Sequence, residues 1–155
     1  MEIKYQTDFT KQFLKMVVPD EWIDIFDISE IRGKEKEWNI TLTEKKNLVP
    51  KEIGSKPCVL NGYCKPIELM GFPAKGKPVY IKIIRRKWKE AGYRGGYSNT
   101  YDLHYPGVKA TKELADFLKG LNREELNEFL SAWPVYRNLR KKDTSLVQGF
   151  LKRFQ

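Results

Sequence analysis

"GKPVYIKIIRRKWKEAGYRGGY", residues 76–97, opens like a strand and closes like a cationic arm. Val79, Tyr80, Ile81, Ile83 and Ile84 are β-branched or aromatic, the residue types that suit a pleated surface. Arg85, Arg86, Lys87 and Lys89 then crowd around Trp88. Alternate side chains of a strand share a face. Tyr80, Lys82, Ile84, Arg86 and Trp88 therefore fall on one side, with Ile81, Ile83, Arg85, Lys87 and Lys89 on the other. Val79, Ile81 and Ile83 mark the second side as the core side over the first half. Arg85 and Lys87 break that pattern, so the strand has to leave the core, twist or bulge near Ile84. Its far end is expected to protrude as a basic ribbon.

Upstream, Asp8 and "FTKQFLKMVV" read as an N-cap and a short amphipathic helix that Pro19 ends. "PDEWIDIFDI" then reads as a second helix, with Asp20 and Glu21 in its first turn. Alternating Trp38, Ile40 and Leu42 behind a Gly33–Lys34 turn predict a hairpin. Residues 46–66 are rich in Pro, Gly and Asn and are expected to loop across the sheet. A strand near Pro66–Phe72, a turn at "PAKGK", the long strand Pro78–Lys89 and a return strand at "TYDLHY" complete a meander. Downstream, Thr111 caps "KELADFLKGL" and Asn122 starts "REELNEFLSAW", with shorter helices after Pro134. The fold class is α+β: an antiparallel β-meander of about four or five strands, flanked by N-terminal and C-terminal helices. Residues 1–121 form the α+β domain and residues 122–155 a helical C-terminal appendage.

The charge is concentrated where that ribbon is expected. The net charge is +9 over 155 residues, yet residues 51–100 hold 11 basic and 3 acidic side chains. Residues 75–94 hold eight basic residues and one acidic, Glu90. A local basic patch calls for a polyanionic partner. Lys82, Arg85, Arg86, Lys87, Trp88, Lys89 and Arg94 are the candidate nucleic-acid contacts: cations for phosphates, Trp88 for sugars or bases. The same residues also suit a charged edge that blunts sheet aggregation, with Trp88 buried under a helix. A scaffold for a protein partner is another use, and an RNA-binding module that stacks bases on Trp88 and Tyr93 a third.

Other chemistry is poorly provided for. No phosphate loop or dinucleotide fingerprint occurs, and His104 has no Cys or Ser partner in a nucleophile motif. Cys58 and Cys64, separated by five residues, fall short of a zinc ligand set even with His104. The expectation is a non-enzyme with no cofactor, no metal and no membrane partner. No apolar run approaches a membrane span and no secretory leader is evident, so the cytoplasm is the expected compartment.

"GFPAKGKPVYIKIIRRKW" resembles a run in the N-terminal region of bacterial insertion-sequence transposases of the split-gene type. There an aromatic–Pro pair precedes a strand that closes on consecutive arginines and a Trp. "YDLHYPGVKATKELADFLKGL" is similar to the same region, through Gly107, Thr111, Glu113, Leu114, Ala115, Phe117, Leu118 and Lys119. The resemblance covers roughly residues 10–120. It implies an accessory DNA-binding piece whose catalytic acidic triad sits on a separate polypeptide, so DNA and that catalytic chain are the implied partners. Carried over to this sequence, the implied contacts are Lys82, Arg85, Arg86, Lys87 and Trp88. The region is also similar to the zinc ribbon of a related transposase group. Here Cys58 and Cys64 lie upstream and no cysteine follows Arg86, which implies a ribbon held by packing instead of metal. The glycine-rich tip and residues 122–155 fall outside the resemblance.

Overall fold

The computed structural model describes residues 8–137 and Leu139. Helix α1 (Asp8–Val17) and a 3-10 turn (Asp20–Trp22) precede six strands: β1 (Phe26–Gly33), β2 (Trp38–Glu44), β3 (Cys58–Tyr63), β4 (Ile67–Ala74), β5 (Lys77–Ile84) and β6 (Arg86–Glu90). Helices α2 (Lys112–Gly120) and α3 (Arg123–Ala132) follow, then a 3-10 turn, Pro134–Arg137. The α+β class with helices toward both ends is what the chain adopts.

The connectivity is not a single meander. Four strands form one sheet in the order β1-β2-β5-β4, with β2 and β5 parallel at its centre. Two hairpins, β1–β2 and β4–β5, are antiparallel. The excursion between Glu44 and Ile67 returns the chain so that β5 lies beside β2 in the same direction. Inside that excursion β3 forms a second, two-stranded sheet with β6, where the composition predicts only loop.

Two other expectations fail locally. "PDEWIDIFDI" makes one 3-10 turn and then β1, because Phe26 and Ile28 bury at period two while Asp27 and Ser29 do not. Ile23, Ile25 and Ile28 favour that extended form, since β-branching restricts χ1 in a helix. "TYDLHY" runs extended without joining a strand. The chain turns at Pro106–Gly107, where Gly107 has φ 76°, and only Ala110 bridges to Met70 at the β4 edge.

One face of the large sheet packs under the N-terminal segment. Leu14, Val18 and Trp22 meet Phe26, Ile28, Ile40, Leu42, Ile81 and Ile83 there. The other face is covered at one end, where Met70 and Tyr80 meet Leu114, Leu126, Leu130 and Tyr136. Residues on both sides of Leu121 thus share one cluster. The Thr111 side chain accepts from Leu114 N–H, and Asn122 and Glu125 form a capping box. Thr111 N–H also bonds Met70 O, which ties the start of α2 to the sheet. The Tyr136 hydroxyl donates to Gly71 O at 2.6 Å, and burial pushes its pKa up to about 12.

The β4–β5 turn has Lys75 at φ 49° and Gly76 at φ 75°, the pair of positive angles a two-residue hairpin needs. Asn tolerates the first position better than Lys. Lys75→Asn is therefore expected to stabilise the fold by about 0.5–1 kcal/mol. A urea midpoint that stays put or falls would reject this.

Candidate nucleic-acid interface

The long basic strand breaks at Arg85, where β5 ends and β6 begins in a different sheet. A buried carboxylate makes the pivot. Glu44 is 0% exposed, at the end of β2 and beside the end of β5. Its Oε1 accepts from Arg86 N–H at 2.9 Å, and its Oε2 from Asn99 Nδ2 at 3.1 Å and from the Tyr101 hydroxyl. Arg86 Nε returns a bond to Glu44 O at 2.7 Å. Burial, and then the bond to Glu44, hold the Tyr101 phenol far above its usual range. Arg85 Nη1 donates to Asn99 O at 3.1 Å, which fastens the same loop from the other side.

The seven candidate contacts therefore divide. Arg86 (8% exposed) and Trp88 (7% exposed) are interior. Arg86 serves Glu44 and lies over the Tyr63 ring, while Trp88 N–H and C=O bond Tyr97. Arg85 is half-buried, with Nε lacking a partner, as does Trp88 Nε1. Lys82, Lys87 and Arg94 are exposed and Lys89 half-exposed. Among the described residues no ion pair engages any of these four. Glu90, the acid nearest in sequence, pairs with Lys56 at 3.6 Å instead.

The surface cations sit on two connected features. Lys82 lies on the open face of the large sheet, opposite Glu68. There it joins Lys65 and Lys109 around a groove of about 580 Å³ whose floor includes Met70, Tyr80 and Leu139. Lys87 and Lys89 lie on the outer side of the β3–β6 ribbon, since their neighbours Arg86 and Trp88 point inward. Lys82 and Lys89 stand in different sheets, on either side of the break at Arg85. Arg94 and Tyr93 (68% exposed) stand on the tip beyond Glu90.

Sequence reasoning missed Glu44, although the signal was present. Ile40, Leu42 and Glu44 share one parity on β2, so an acid occupies a core-facing position. Elsewhere, His104 Nδ1 lies 2.8 Å from Tyr105 O, and Cys58 and Cys64 are free thiols, half-buried and buried. Arg140, Lys141 and Lys142, cations of the expected C-terminal appendage, lie outside the described residues. No described helix is long and apolar enough to cross a membrane. Comparisons with protein-family models, with curated proteins and with solved structures return no match.

Proposed function

We propose that this chain is a non-catalytic DNA-binding domain that grips the duplex backbone through solvent-facing cations. Lys82, Lys87, Lys89 and Arg94 carry the grip, and Lys65 and Lys109 extend it along the groove. One observation carries this reading: the four central cations are exposed or half-exposed and none forms an ion pair among the described residues, although Lys82 stands across from Glu68. Cations outside ion pairs, here on β5, β6 and the tip beyond β6, are suited to displacing counterions from phosphates, a sequence-independent source of affinity. Arg86 and Trp88 shape the ribbon from within and are assigned no contact with DNA. The accessory role in an insertion-sequence transposase, beside a separate catalytic chain, rests on the two sequence resemblances.

The test is binding of the purified protein to labelled duplex DNA, single-stranded DNA and RNA over a salt series. Preference for duplex is expected, with log K falling against log salt at a slope of about −0.9 per phosphate neutralised. A preference for single strands would transfer the function to base stacking on Tyr93. Absence of binding to all three would remove the nucleic-acid reading.

A further inference from the structure

Strand β3 is well formed yet buries almost nothing. Val59, Leu60 and Tyr63 are 45%, 45% and 57% exposed, and only Cys58 is half-buried. It is held on one edge, by β6, and a two-stranded ribbon is marginal without further cover. Pro57 precedes β3 and its register shifts between Leu60 and Tyr63, so the regular open edge is Cys58–Leu60. Pro57–Cys64, "PCVLNGYC", carries no charged side chain in a chain of net charge +9. Charge, one of the devices that blunt an exposed edge, is missing from this one, which leaves Cys58–Leu60 open to pairing.

The backbone geometry shows which groups that edge offers. Trp88 N–H and C=O both bond Tyr97, at 2.8 and 2.7 Å, on the side of β6 away from β3. Leu60 stands opposite Trp88, so Leu60↔Trp88 is a pair without hydrogen bonds between β3 and β6. Leu60 N–H and C=O must then point outward, at the open edge. Ala91 N–H bonds Pro57 O at 3.0 Å, which fixes the same alternation and turns the Cys58 groups outward too. Among the described residues, no backbone group bonds Cys58 or Leu60 from that side.

We infer that β3 pairs with β3 of a second copy of this chain, antiparallel about a two-fold axis through Val59. Cys58 of each copy then faces Leu60 of the other, and each such narrow pair exchanges both N–H···O bonds. Val59 meets its own counterpart, apolar against apolar. The choice of a second copy rests on charge. Two chains of +9 repel over most of their surfaces, and this uncharged strand brings no like charges face to face. Antiparallel pairing about that axis keeps the same side of each ribbon up. Lys87 and Lys89 of both copies then line one face of a four-stranded sheet ordered β6-β3-β3-β6. The inference stands without the DNA reading and is tested without nucleic acid.

Sedimentation equilibrium of the full chain over a wide concentration range is the measurement. A reversible monomer–dimer equilibrium is expected for the wild type. Val59→Lys sets two like charges opposite each other at the axis and is expected to give monomer throughout. Leu60→Pro removes an outward N–H that β6 does not use, and is expected to weaken the dimer at least tenfold. Circular dichroism spectra and melting curves like those of the wild type would show that both variants fold. A wild type that stays monomeric at its highest concentration would overturn the proposal. So would a dimer that survives both substitutions.

Discussion

The combined variant Lys82→Ala, Lys87→Ala, Lys89→Ala and Arg94→Ala is expected to fold normally and to lose duplex DNA affinity. The loss at about 0.1 M salt is on the order of a thousandfold, since each released counterion there is worth roughly eightfold. The salt slope should flatten by about 0.9 for each phosphate contact removed, so slope and affinity fall together. Folding is expected to survive because these side chains face solvent and no described ion pair holds any of them. Arg86→Ala should behave in the opposite way. It empties a buried site bonded to Glu44 O, and its effect should appear in the melting curve first. If the fourfold variant binds with wild-type affinity and slope, the ribbon and groove are a solvated surface and nothing more.

That contrast also shows what the sequence carries and what it does not. Local chemistry was legible where the partner is a near neighbour in the chain. Thr111 caps Leu114 N–H three residues on, and Asn122 and Glu125 exchange bonds over the same distance. The Lys75–Gly76 turn and the break after Ile84 follow from equally short patterns. The burial of Arg86 depends on Glu44, 42 residues earlier, and on a parallel pairing of β2 with β5 that no local pattern encodes. Alternation alone puts Arg86 and Lys87 on opposite faces and Lys87 on the core side; with that pairing and the break after Ile84, Arg86 is interior and Lys87 faces solvent. Strand β3 was illegible for a related reason. Its Pro, Asn and Gly content reads as loop, and what makes it a strand is the edge of β6 lying 23 residues or more away along the chain.

Glu44 is where the non-local part of the fold can be tested most sharply. Glu44→Ala is expected to cost about 3–5 kcal/mol, against a total stability of about 5–15 kcal/mol for a domain. The reason is the number of donors left behind. Arg86 N–H, Asn99 Nδ2 and the Tyr101 hydroxyl all point at this carboxylate, and the first is fully inside. Asn99 keeps its second bond, to Leu48 O at 2.6 Å, so part of the loss is local to Arg86 and Tyr101. Glu44→Gln should fall between the two. Its oxygen can still accept from Arg86 N–H, but its amide then meets Asn99 Nδ2, donor against donor. Tyr101→Phe should cost about 1–3 kcal/mol by removing one of the two bonds that Oε2 accepts, Asn99 Nδ2 keeping the other. Urea unfolding of the three variants orders them as Ala worst, with Gln and Phe milder. A Glu44→Ala midpoint equal to that of the wild type would mean that water replaces the carboxylate without loss, and that packing alone turns β5 into β6.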